Sequence, residues 1–195
     1  MDNILKGFYP NFKIHKICAN DDLRPEMGYV FFKDGNAYAT DSHVAIAAPL
    51  STISNFTDEE KKLLDSKVLH ATQFAKLLTM RNVNIELVGE KLCFYCTTKA
   101  GETVIIPLLD EYEIGKFPNV EKVITQSELK AKEDKEPRNC VGLNACLMAD
   151  LSSAMDADIM DFYFGQKKGA IVVRCDIYKE IRAIIMPCLI EEPEF

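Results

Sequence analysis

Two short apolar runs, Tyr29-Val30-Phe31-Phe32 and Ala37-Tyr38-Ala39, flank the polar tetrad Lys33-Asp34-Gly35-Asn36. Asp-Gly accepts the positive φ that a tight antiparallel turn demands, so the pattern predicts a hairpin. Upstream, Lys13 to Cys18 alternates polar with apolar and reads as extended, until Asn20-Asp21-Asp22 and Arg24-Pro25 break the run. Downstream, Ala45 to Pro49 reads as a continuation of the second strand. Thr57-Asp58-Glu59-Glu60 then opens a short polar helix, with Thr57 as N-cap and Glu60 at the capping-box position.

From Lys67 a pattern begins that the chain later repeats. Val68-Leu69-His70 predicts a strand, and Ala71 to Met80 a helix with Phe74, Leu77 and Leu78 on one face. Val83 to Val88 alternates with period two, a turn at Gly89-Glu90-Lys91 leads into Leu92 to Cys96, and Thr103 to Leu109 closes the unit. The second copy starts at Cys140-Val141-Gly142-Leu143, with Asn144 capping a helix whose inner face is Leu147, Met148, Leu151 and Met155. Met160 to Phe164, Ala170 to Cys175 and Arg182 to Leu189 supply its three strands. Both copies read β-α-β-β-β, a repeat visible in the residues alone.

Between the copies, Gln126 to Arg138 mixes both signs of charge with almost nothing apolar and reads as a solvated linker. The expected division is a domain over residues 1–125, a linker over 126–138 and a half-domain over 139–195. With 195 residues, 48% of them hydrophobic and 27% charged, a sizeable buried core is expected. No stretch approaches the roughly 20 apolar residues that cross a bilayer. The N-terminal residues show no secretory pattern, so a cytoplasmic protein without a membrane role is expected. Seven cysteines, mostly inside apolar segments, are expected to be free, buried thiols. The net charge of −7 means that any contact with nucleic acid needs a local basic surface.

Three constellations invite chemistry. Cys93-Phe94-Tyr95-Cys96 has metal-ligand or redox spacing, but strand residues three apart point to opposite faces and no second ligand pair follows, so no metal or cofactor is expected. Thr40-Asp41-Ser42-His43 gathers a hydroxyl, a carboxylate and an imidazole, the ingredients of nucleophilic catalysis, yet neighbours on a strand diverge and no nucleophile elbow is present. Lys76 and Arg81 flank the first repeat helix and can face phosphates, as can the turn Lys167-Lys168, whereas the second helix carries Asp150, Asp156 and Asp158 and no basic residue.

The run Asp34-Gly35-Asn36-Ala37-Tyr38-Ala39-Thr40-Asp41-Ser42-His43-Val44-Ala45 resembles the middle domain of the bacterial DNA polymerase III beta subunit, the sliding clamp, where a strand ends in Ala-Thr-Asp-Gly-His-Arg-Leu. Val68-Leu69-His70-Ala71 and Gly115-Lys116-Phe117-Pro118-Asn119-Val120 resemble that domain's second half and its exit segment. Ile184-Ile185-Met186-Pro187-Cys188-Leu189 resembles the clamp's closing Val-Met-Pro-Met-Arg-Leu. These matches cover most of residues 27–125 and 139–190. Ser42, Val44 and Cys188 stand where the family has Gly, Arg and Met.

The resemblance implies an α+β, DNA-clamp-like fold of repeated β-α-β-β-β units, with antiparallel sheets and packed helices. It implies a non-enzymatic replication accessory protein of a phage or mobile element, a processivity factor that binds short linear peptides of DNA polymerase or other replication proteins in an apolar cleft. Carried over position by position, that cleft comprises Thr40, Ser42, His43, Val44, Ala45, Ile184, Met186, Pro187 and Cys188. Lys76 and Arg81, read from the residues themselves, are the DNA-facing candidates, and duplex DNA binding would require a homo-oligomeric ring. Two alternatives stand beside this. One is a monomeric interaction adaptor or decoy with the clamp fold and no DNA encirclement; the other is a hydrolase using Asp41, Ser42 and His43.

Overall fold

The computed structural model describes residues 5–21, 23–133, 141–165 and 169–188. The expected hairpin is present: β1 (Tyr29–Lys33) and β2 (Asn36–Thr40) pair antiparallel through Lys33↔Asn36. Asp34 at φ 48° and Gly35 at φ 73° form the two-residue turn, whose positive-φ backbone favours such residues. β3 (Val44–Pro49) does not continue β2. The chain reverses at residues 41–43 and β3 lies antiparallel against β2, with Thr40 opposite Ala45. Short helices α1 (Leu50–Ile53) and α2 (Asp58–Leu63) follow, α2 carrying the predicted Thr57/Glu60 capping box.

The first repeat unit is β4 (Lys67–His70), α3 (Ala71–Leu77), β5 (Asn82–Val88), β6 (Lys91–Thr97) and β7 (Thr103–Pro107). β8 (Leu109–Asp110), α4 (Glu111–Ile114) and α5 (Val120–Glu133) come next, and the second unit supplies α6 (Ala145–Met155), β9 (Asp161–Tyr163), β10 (Ile171–Arg174) and β11 (Arg182–Ile185). Asn144 caps α6 as expected, its Oδ1 accepting from the amides of Cys146 and Leu147. The strand expected at 140–143 is reduced to a single bridge between Gly142 and Cys188, Cys140 lying outside the described residues.

The last three strands of the two copies join different sheets, while β4 of the first copy pairs with β1. β5, β6 and β7 form a three-stranded antiparallel sheet of their own, whereas β9, β10 and β11 extend the hairpin sheet into eight antiparallel strands ordered β8-β4-β1-β2-β3-β11-β10-β9. Both faces of the larger sheet are covered. Val30, Phe32, Val44, Ile46, Ile171 and Ile185 face the main core, shared with Phe74 of α3, Leu151 of α6 and Phe94 of β6. Phe31, Tyr38, Ala45, Ala47, Val172 and Ile184 face a second cluster closed by Phe117 and by Val120 and Ile124 of α5.

Two further expectations are corrected. Lys13–Cys18 is not extended: Ile14–Ile17 forms a 3-10 turn that packs between α3 and α6. Its apolar residues three apart fit a helix of three residues per turn, which places Ile14 and Ile17 on the same buried side. Residues 126–133, expected in the solvated linker, are the second half of α5; residues 134–138 lie outside the described residues. The helix is polar because only a narrow stripe, Val120, Ile124 and in part Ala131, meets the sheet.

Candidate functional site

The stretches around His43 and Pro187, far apart in sequence, are neighbours. β3 pairs antiparallel with β11 through Ala47↔Arg182, Ile46↔Ala183, Ala45↔Ile184 and Val44↔Ile185. The ladder runs one step beyond the strands, where the amide of Met186 donates to the carbonyl of His43 at 2.7 Å. The amide of Cys188 then donates to the carbonyl of Gly142 at 2.8 Å, tying the closing segment to the entry of α6.

The turn leading into β3 is built by the residues that suggested a catalytic triad. The Asp41 Oδ1 accepts from the amides of His43 at 2.7 Å and Val44 at 2.8 Å. Ser42 sits at φ 79°, and its amide donates to the Thr40 Oγ1 at 3.1 Å, while that hydroxyl donates to the Val44 carbonyl at 2.8 Å. An aspartate that bonds two amides downstream is a turn device. Among the described residues, no hydrogen bond links the side chains of Asp41, Ser42 and His43 to one another, so the triad geometry is absent from this turn.

The nine cleft candidates separate by burial. Thr40, Val44, Ala45 and Ile184 are each at most 5% exposed. Ala45 and Ile184 belong to the cluster beneath α5, and Val44 faces the main core on the other side of the sheet. Ser42, His43, Met186 and Cys188 are exposed and Pro187 half-buried, with Met186 at 40% exposure. Strand alternation puts Met186 and His43 on the same face as Ile184 and Ala45. The structure thus brings all nine to one junction, with five at its surface and four within.

The basic candidates are exposed: Lys76 in the last turn of α3, and Arg81, whose amide donates to the Thr97 carbonyl at 2.8 Å. Lys167 and Lys168 lie outside the described residues. Sequence reasoning missed Lys16, which reaches across from the 3-10 turn to Asp150 of α6 at 3.4 Å and to Ser153 Oγ at 3.3 Å. α6 ends at Met155, so Asp156 and Asp158 lie beyond it and Asp150, its one acidic residue, is paired with Lys16. His15 beside it has its pKa lowered, chiefly by burial and then by Lys16 and Lys13. The Cys93/Cys96 pair divides as expected, Cys96 in the main core and Cys93 outside it; among the described residues no cluster of three metal-ligating side chains occurs.

Nor does any helix among the described residues have the length and apolarity to cross a membrane. No protein-family model matches the sequence, and no curated protein matches it. Solved structures do match. The sliding clamp (DNA polymerase III subunit beta) from Bartonella birtlesii, bound to griselimycin, superposes with a TM-score of 0.63 at 13% identity, over 93% of this chain and 63% of that one. The C. crescentus beta sliding clamp gives 0.61 at 14% identity with the same coverage. The beta subunit from Thermotoga maritima gives 0.56 at 11% identity, over 97% of this chain and 65% of that one. The chain thus spans about 63% of the length of the first of these clamps. By its antiparallel sheets, its packed helices and this likeness, the chain has the α+β fold of the bacterial DNA polymerase sliding clamp.

Proposed function

We propose that the chain is a non-enzymatic, clamp-like replication accessory protein that binds a short linear peptide of a DNA polymerase or another replication protein at the β3–β11 junction. The observation that carries this is the His43–Met186 hydrogen bond, which sets an exposed methionine beside an exposed imidazole at the end of a continuous sheet. Ser42, His43, Met186, Pro187 and Cys188 form the accessible rim, and Thr40, Val44, Ala45 and Ile184 hold it in place from beneath. An extended peptide would bury apolar anchors against Met186 and Pro187 at about 25 cal/mol per Å², and methionine adapts to differing partners.

Duplex DNA bound by an oligomeric ring through Lys76 and Arg81 is the fuller form of this reading. The adaptor form, without DNA, is favoured by α6, which carries no basic residue and whose Asp150 already holds Lys16. Titrating a clamp-binding peptide of a DNA polymerase and a labelled DNA duplex separately, at low and high salt, into the wild type and Met186→Asp decides between them. Peptide binding lost in Met186→Asp supports the site, and absence of peptide binding to the wild type overturns it. Salt-sensitive duplex binding together with an oligomer in light scattering supports the ring; a monomer that ignores duplex selects the adaptor.

A further inference from the structure

The helix α5 covers an apolar sheet face with very little apolar material. Only Val120 and Ile124 are fully buried along it, while Val123 and Leu129 stand about half exposed, at 48% and 53%. What else holds it is charge. Glu121 accepts from the Tyr38 hydroxyl at 3.2 Å and pairs with Arg182 at 2.6 Å; Glu128 pairs with Arg174 and lies 3.4 Å from the Arg182 Nε. These pairs are partly solvated, so each contributes modestly and is weakened by salt.

A second fastening is steric. Gly165, two residues beyond β9, is buried against the last turn of α5, and a Cβ there would sit 3.1 Å from both the Cα and the N of Ala131. Those are backbone atoms, so a side chain at 165 cannot be accommodated by a rotamer change, and α5 or the segment after β9 must give by a few tenths of an ångström. The strands beneath are differently placed. Their opposite face is already packed into the main core, and their ladders close without α5.

Lifting α5 would uncover Tyr38, Ala47, Val172 and, at the inner end, the Ala45–Ile184 pair, two ladder positions from the His43–Met186 step. The uncovered face would run on into the proposed peptide rim. We propose that α5 is a displaceable lid, latched by Glu121 and Glu128 and seated on Gly165, that closes the inner half of an apolar docking face. In its identification of what enters, the proposal rests on the peptide-site reading above; the movement of the lid does not depend on it.

Hydrogen–deuterium exchange on the full chain tests the movement, comparing wild type, Gly165→Val and Glu128→Gln at low and high salt, with 8-anilinonaphthalene-1-sulfonate fluorescence reporting exposed apolar surface. The expected result is exchange of the α5 amides faster by about tenfold in either variant, and in the wild type at high salt, with β1, β2 and β3 still protected and dye fluorescence raised. Loss of protection in α5 and the sheet together, or no change in α5 in any arm, overturns the lid. The polymerase peptide then separates the two ideas. Selective opening with tighter peptide binding supports both, and selective opening with no peptide binding to any form leaves the lid standing and removes the peptide site. Selective opening that leaves an existing peptide affinity unchanged overturns the gating.

Discussion

The amide of Met186 donates to the carbonyl of His43 at 2.7 Å, one step past the end of the β3–β11 ladder. This backbone bond sets Met186 opposite His43, both exposed, and it follows directly on the turn that Asp41 holds through the amides of His43 and Val44.

Asp41→Ala should therefore loosen the junction without touching the core. It removes the acceptor for two amides and is expected to cost about 1 kcal/mol in urea denaturation, with Asp41→Asn costing less because one oxygen remains. His43→Ala, which leaves those backbone bonds intact, should change stability by less than about 0.5 kcal/mol.

Met186 and Ile184 lie on the same face two residues apart and should behave oppositely. Met186→Asp, at an exposed site, is expected to keep the thermal midpoint nearly unchanged while abolishing peptide binding. Ile184→Ala opens a cavity beneath α5 and should cost about 2–5 kcal/mol, measured by chemical denaturation. Equal destabilisation by both would contradict the burial described.

Tyr38 gives a base-side signature. Burial, together with Glu121, pushes its hydroxyl up to about 12 from the usual value near 10. The folded state therefore favours the protonated phenol more than the unfolded state does. That contribution is complete below about pH 10 and is lost as the pH rises towards 12. Stability measured across this window should fall more steeply for the wild type than for Tyr38→Phe.

Thiol accessibility follows burial. Cys146 and Cys188 are exposed, whereas Cys18, Cys93, Cys96 and Cys175 are buried, and burial raises the Cys18 thiol far above its ordinary pKa. Alkylation of the native protein followed by peptide mass mapping should find Cys146 and Cys188 modified rapidly and Cys18, Cys93, Cys96 and Cys175 only after unfolding.

Local chemistry made much of this legible in the residues. Asp34-Gly35 can hardly be anything but a tight turn, Thr57 and Glu60 cap each other across one helical turn, and Asn144 caps α6, because each of these interactions spans four residues or fewer. The α-β-β-β order shared by both copies was likewise written in hydrophobic period, whereas the leading strand expected in the second copy is only a bridge. What periodicity could not carry was partnership. Nothing in Val83–Val88 or Ile171–Arg174 says that one joins a separate three-stranded sheet and the other extends an eight-stranded one, since strand pairing is decided by which edges meet once the whole chain has collapsed. The reversal at Asp41 was missed because its signal is a side chain bonding backbone, which reads equally as catalytic chemistry. The helix over residues 126–133 was missed because its apolar stripe is too narrow to recognise without the sheet it covers. Sequence alone thus determined the units and the stretches worth watching around His43 and Met186. Only tertiary packing decided that they touch, and that Ala45 and Ile184 between them lie beneath a charged helix.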